Sequence, residues 1–251
     1  MCQKDVEKCG RYKIMKAARI SFMQMMLFIR RDMMLFASCA APLLAGVFFR
    51  FVVPVMERAL VSWTGRTEVL APYYGLIDLI FSMLTPIMFC FVTAMVVLEE
   101  HDDHIENYLF ITTLGRKGYL ISRIFLPVVI AFIMTVILLP VFKLTALSAM
   151  EVLLLSGTGA LQGIIIALLI VTLSTNKLEG MAVTKMSTLT ILGAFAPYFV
   201  RGRISYILSF LPSFWIGKTI YDHKIIFMLP AILAAFLWIY ILMKKFLRKL
   251  S

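Results

Sequence analysis

Charge is what this chain has least of. Only 16% of its 251 residues are Asp, Glu, Lys or Arg, against 61% hydrophobic side chains and a mean hydropathy of +0.93. Soluble domains run at about a quarter charged and about half apolar, so a water-soluble globular domain is excluded. A phosphate-binding loop is missing too. It needs G-x-x-x-x-G-K-[ST], and the run Gly217-Lys218-Thr219 has Pro212 where the first glycine should stand. The sequence therefore predicts no ATPase on this chain. Cysteine is sparse. Cys2, Cys9, Cys39 and Cys90 form neither a C-x-x-C motif nor a paired extracellular framework, and they read as free thiols. Internal repeats and low-complexity segments are absent. So is the form of a cleaved signal, because about 30 mostly amphipathic residues precede the first long apolar run.

What the chain has in quantity is apolar runs of membrane-spanning length, roughly 20 residues each. They predict spans over 33–53, 74–98, 119–142, 150–173, 181–200 and 225–243. Inside a bilayer each span must bond its own backbone, which makes the fold class all-α: a polytopic bundle of six transmembrane helices over 33–251. Pro42, Pro86 and Pro127 then predict kinks. For six spans with both termini on one side, 17 of the 25 Lys and Arg fall on that side and eight on the other. Positive residues favour the cytoplasmic face, so both termini are expected in the cytoplasm. Residues 1–32 form the tail. There Arg11, Lys13, Lys16 and Arg19 alternate with Ile14, Ile20, Phe22, Met23 and Met26, as in an amphipathic elbow helix lying in the membrane interface. The net charge of +11 fits an anionic leaflet, with no nucleic acid as partner.

Five of the fourteen acidic residues fall in eight positions: Glu99, Glu100, Asp102, Asp103 and Glu106. Ile105, Tyr108, Leu109 and Thr112 follow at helical spacing, then Gly115, Arg116, Lys117 and Gly118. Acids at the start and bases past the end suit the helix dipole, and Gly115 is placed for a left-handed stop. The spacing predicts a short cytoplasmic helix over about 99–114 with an apolar face for a docking partner.

These residues resemble a family. Leu98-Glu99-Glu100, Glu106-Asn107-Tyr108-Leu109 and Thr112-Thr113-Leu114-Gly115-Arg116-Lys117-Gly118-Tyr119-Leu120 together look like the coupling segment of type-2 ABC transporter permeases. Asn176-Lys177-Leu178-Glu179-Gly180-Met181-Ala182, with Lys185, is similar to the start of that family's fifth span. Leu211-Pro212-Ser213-Phe214-Trp215 is similar to its outer proline-x-x-tryptophan element. Thr113 stands where the family often has proline, and His101 and His104 interrupt a stretch commonly basic. The resemblance implies an exporter subunit with no catalytic residues and no cofactor of its own. ATP and Mg would be bound by separate cytoplasmic ATPase subunits docked on the coupling helix. A second permease subunit, identical or similar, would complete the pair in the plasma membrane. Coupling would then involve Glu99, Glu100, Ile105, Glu106, Tyr108, Leu109, Thr112 and Gly115, while Glu179, Gly180, Lys185, Pro212 and Trp215 would be gate or interface residues. The compound moved would be amphipathic or hydrophobic: a drug, an antimicrobial peptide or a lipid-like molecule.

Other readings compete. An ion-coupled secondary transporter would use ionisable residues inside spans, and Arg50, Asp78, Arg123 and Lys185 qualify, although each lies close enough to a span end to snorkel. Glu99-Glu100 resembles part of the Glu-Glu-x-x-x-Arg motif of intramembrane prenyl-type proteases, but His104 stands where the arginine belongs. His101 and His104 lack the convergent geometry a metal needs, so no metal site is expected. The segment from Arg201 to Lys224 predicts an interfacial hairpin at the outer leaflet with Trp215 as its anchor.

Overall fold

The computed structural model describes the backbone of residues 2–65, 67–111, 115–200, 202–222 and 224–249. Thr112, Thr113 and Arg201 lie outside the described residues, as do the side chains of residues 2–15, among them Arg11, Lys13 and Ile14, and those of Asn107, Arg116, Lys117 and Arg203. Among the described residues all regular structure is helical. In chain order the helices are α1 (Cys2–Arg31), α2 (Met33–Val47), α3 (Val53–Thr64), α4 (Tyr74–Asp102), α5 (Ile105–Ile111) and α6 (Gly115–Leu120). Then come α7 (Leu126–Phe142), α8 (Ala149–Leu173), α9 (Lys177–Ser187), α10 (Ala196–Phe199), α11 (Pro212–Asp222) and α12 (Met228–Lys249).

Five stretches are long and apolar enough to cross a membrane: Met33–Thr64, Ala71–Asp102, Gly118–Phe142, Ala149–Leu173 and Ile225–Lys249. Two of them form the centre. In α4 and α8 the most apolar windows are 78% and 72% buried, against 17%, 28% and 22% for the other three, whose outward faces carry large exposed apolar side chains. The central pair meets through small residues. A methyl group at Gly159 would strike the Ser82 carbonyl, and one at Gly163 would lie 2.9 Å from the Pro86 carbonyl oxygen and from Cys90 Sγ. The four-residue spacing of these glycines lets two backbones touch, a common packing mode in lipid, where side chains gain little from leaving hydrocarbon for protein.

Two wide turns interrupt the outer spans. A π turn at Phe48–Val52 joins α2 to α3, and another at Ile121–Phe125 joins the α6 end to α7. Each lies just ahead of a proline, Pro54 or Pro127, which lacks an N–H and crowds the carbonyl four residues back. Those carbonyls belong to Arg50 and Arg123. The distortion expected at Pro127 is thus taken up upstream as an extra residue in the turn, while Pro42 and Pro86 sit inside continuous helices.

The sixth expected span, 181–200, is not one uniform helix. It falls on α9, a 3-10 segment at Thr188–Phe195 and α10. Side-chain bonds and close packing converge on the 3-10 segment. Thr188 Oγ1 donates to the Lys185 carbonyl at 2.7 Å and Thr190 Oγ1 to that of Ser187 at 2.7 Å, side-chain bonds that compete with the α-helical ladder. Gln162 on α8 then donates from Nε2 to Thr190 Oγ1 at 2.9 Å, and Ser213 on α11 from Oγ to the Thr190 carbonyl at 2.5 Å. Helix α11 packs closely here, its Gly217 against the Ala194 backbone. Pro212, Ser213, Phe214, Ile216, Gly217 and Thr219 are all buried. This corrects the expected interfacial hairpin: the 3-10 segment Arg203–Phe210 exposes Ile204, Tyr206, Ile207 and Phe210, whereas α11 is mostly packed inward and exposes Tyr221 near its end.

Candidate coupling site

The acidic cluster and the Asn-Lys-x-Glu-Gly motif meet at one end of the bundle. Their meeting point is Lys177. Its Nζ donates to Glu99 Oε2 at 2.6 Å and to Asp32 Oδ2 at 3.1 Å, while its backbone N–H donates to Asp102 Oδ2 at 2.9 Å. Asp32 meanwhile caps α2, its Oδ1 accepting from the amides of Met34 at 2.9 Å and Leu35 at 3.2 Å. One ammonium thus ties the α1–α2 joint, the end of α4 and the start of α9. Burial works against the charge on Lys177, yet Glu99 and Asp32 outweigh it and hold the ammonium above the ordinary lysine range. Burial likewise works against Asp32, and Lys177 with the two capping amides brings it below the usual carboxylate range. The Asp32 contribution is lost only as pH falls from its unfolded pKa of about 3.9 through a lower folded value. That of Lys177 is lost only as pH rises from about 10.4 through a higher one, so the clamp is at full strength at neutral pH.

Each other motif residue has local work. Asn176 Oδ1 accepts from the Glu179 amide at 2.8 Å and caps α9. Glu179, exposed, accepts from the amide of Thr175 at 2.5 Å and its hydroxyl at 2.7 Å, and these bonds hold its carboxyl below the usual range. Gly180 is buried because a side chain there would run into Leu98 of α4. Lys185, on the last turn of α9, is exposed.

Next to this clamp is a buried ion pair. Arg123, in the second π turn, is only 4% exposed, and its Nε lies 3.0 and 2.9 Å from the two carboxylate oxygens of Glu100. A third bond runs from Nη2 to Glu100 Oε1, and Nη1 donates to the Ser21 carbonyl of α1 at 2.9 Å. The buried Tyr119 ring sits 5.8 Å from the guanidinium carbon. Arg123 does not snorkel outward, as its place near a span end suggested. It joins α1, α4 and the third span.

The expected helix over 99–114 is two pieces. Glu99 and Glu100 belong to the last turns of α4, which ends at Asp102; the chain turns at Asp103 and His104, with His104 at φ 56, and restarts as α5. His104 holds the left-handed conformation that breaks the helix. His101 Nδ1 and Glu106 Oε1, 2.6 Å apart, brace the turn, with Glu106 buried. On α5 the apolar residues face two ways. Leu109 is half-buried against Tyr119, whereas Tyr108 and Ile111 are 73% and 87% exposed and Ile105 is exposed too. Gly115 takes φ 59. Ile111 escaped the sequence reading although it follows Tyr108 by three residues, the same spacing that marked the others.

Pro212 and Trp215 lie at the opposite end of the bundle. Pro212 opens α11, and Trp215 is half-buried with its Nε1 donating to the Ser209 carbonyl at 2.7 Å. The other intramembrane candidates are bonded there as well. Asp78, buried in α4, accepts from the amides of Leu144 and Thr145 at 2.8 Å each and from Thr145 Oγ1 at 2.5 Å, while Arg50 Nη1 donates to the Lys143 carbonyl at 3.1 Å.

Several apolar helices around a close-packed pair, with a braced, partly exposed short helix at one end, define a multi-pass membrane protein. The chain belongs to the family described as "Fluoroquinolones export permease protein Rv2686c-like", whose model matches residues 25–245. It is an ABC-2 type permease. No curated protein and no solved structure matches the chain.

Proposed function

We propose that the chain is the membrane subunit of an ABC exporter that takes its power stroke from separate ATPase subunits docked on α5. The observation that carries this reading is the pairing of exposed Tyr108 and Ile111 with a base fixed by Glu100–Arg123 and Lys177. Apolar side chains in water gain by entering a groove, and a base tied to three helices passes the resulting push into the bundle. ATP and Mg would be bound by the ATPase, and a second permease chain, identical or similar, would face this one. The compound moved would be an amphipathic drug, and the family's description names fluoroquinolones as such a class. A proton-coupled carrier would need a titratable group inside a span that is free to exchange protons; of the four candidates Asp78, Arg123 and Arg50 are engaged by fixed partners, and Lys185 is exposed on the last turn of α9.

In this reading the clamp end is cytoplasmic, α1 lies in the interface with Ile20, Met23 and Leu27 turned outward, and 177–199 supplies the sixth crossing. Cysteines placed at Trp63 and Ile207 are expected to react with an impermeant thiol reagent on intact cells, and one at Leu178 only after permeabilisation. Labelling of Leu178→Cys from outside would invert the topology. The test of function itself is affinity purification of the permease in mild detergent: an ABC ATPase is expected to come with it, and its absence from several detergents would refute the proposal.

A further inference from the structure

The end of the bundle opposite the clamp contains two neighbouring cavities of about 400 and about 440 Å³, which share Tyr198 and Tyr221 as a common wall. Either is large enough for a small organic molecule. Their aromatic walls are braced. The Tyr198 and Tyr221 rings pack edge to face at 5.1 Å, Tyr73 stacks on Phe199 at 5.7 Å, and Tyr206 leans on Phe214 at 5.7 Å.

Two charges face the first cavity. Lys218 and Asp222 are one turn apart on α11, both half-buried, and both line it. Neighbours at this spacing have Cβ atoms about 5 to 6 Å apart and readily pair. These two do not: among the described residues neither is in an ion pair. Lys218 instead rests its ammonium 4.3 Å from the Tyr206 ring centre and 4.7 Å from that of Phe227, and bonds the Tyr206 hydroxyl. Asp222 is the last residue of α11, where the negative end of the helix dipole opposes a carboxylate. A cation held on aromatic faces and an anion at an unfavourable helix end, kept apart within one aromatic cavity, suit a guest that supplies both opposite charges and a flat ring system.

We infer that this cavity binds planar aromatic compounds bearing both a carboxylate and a basic amine, with Lys218 taking the carboxylate, Asp222 the ammonium, and the tyrosines the ring. The inference rests on the export reading for its class of compound and adds where on the chain that compound is held. On the expected topology the site faces outward, the last place the compound rests before release.

The test uses the full-length permease in lipid nanodiscs without any ATPase, with norfloxacin, its methyl ester and its N-acetyl derivative as probes. The ester lacks the carboxylate charge and the acetylated form lacks the ammonium. Wild-type protein is expected to bind norfloxacin and to bind each derivative about tenfold more weakly, the loss of one charge-assisted contact. Lys218→Met should bind norfloxacin and its ester alike while still rejecting the N-acetyl form, and Asp222→Asn should show the reverse. No binding of norfloxacin, equal binding of all three probes by wild type, or unchanged discrimination in both variants would overturn the site. Should neither variant assemble, the wild-type comparison decides alone. Failure here leaves ATPase co-purification untouched, and failure of co-purification leaves the binding measurement untouched, so the two ideas fall separately.

Discussion

Ile111→Asp is expected to leave the permease in the membrane at normal levels and strip it of its ATPase. The side chain is on α5, outside every stretch long enough to span, and is 87% exposed, so folding and insertion lose little when it changes. In the proposed docked complex the same position would be covered. Burying a large apolar side chain contributes about 1.5 to 3 kcal/mol, less the cost of ordering the contact. A carboxylate there is stripped of water without a partner, which costs several kcal/mol and outweighs any one apolar contact. Tyr108→Asp should behave alike. Asp103→Lys, also exposed but on the turn before α5, is the control, with an expected effect within about half a kcal/mol. Leu109→Asp should differ from both, because Leu109 packs on Tyr119 and its loss damages the permease itself. Co-purified ATPase and permease yield, measured for all four, separate docking from folding; retention of the ATPase by both Ile111→Asp and Tyr108→Asp would remove α5 as the docking element.

The second large effect is expected at Arg123. Replacing it by Met leaves Glu100 buried without a counter-ion, and breaking such a pair from one side costs about 3 to 5 kcal/mol. Thermal unfolding in detergent should show a large fall in Tm for Arg123→Met and for Glu100→Leu. The double variant should recover much of the loss, since two apolar residues in place of a buried pair leave no charge stranded. Additive losses in the double variant would mean that the two residues act through different neighbours, with Ser21 the first to examine.

Much of the fold was legible because hydrophobic length is a coarse signal that local detail does not erase. Five of the six expected spans fall on long apolar helices, and Gly115 takes the left-handed conformation its place after α5 suggested. The segment at 181–200 carried enough apolar residues to count as a span, but hydroxyl bonds from Thr188 and Thr190, together with Gln162 and Ser213 converging on Thr190, accompany its change to 3-10 geometry. Side-chain bonds of that kind leave no trace in a hydropathy window. At the clamp, sequence spacing picked out Glu99, Glu100 and Lys177 separately, yet their joining depends on helices 78 residues apart in sequence, as in the Lys177–Glu99 bond. Periodicity on one element carries no information about which distant element it meets. The division of α5 into an inward Leu109 and an outward Ile111 is a further case, because the three-and-four spacing marks a stripe without saying which edge is covered.

The two proline-bounded π turns bear on where each span can rotate about its own axis. A wide turn contains one residue too many, and when such a turn migrates along a helix the segment it passes rotates by about 100° about the axis, one residue's worth. Migration in either direction would bring the rings of Pro54 and Pro127 back against the Arg50 and Arg123 carbonyls that the wide turn moves away. The extra residue is therefore held at one place in each span, next to the proline that causes it, rather than being free to slide along the helix. In the third span that place is also where Arg123 is bonded to Glu100, so the wide turn and the buried ion pair fix the same point of the chain.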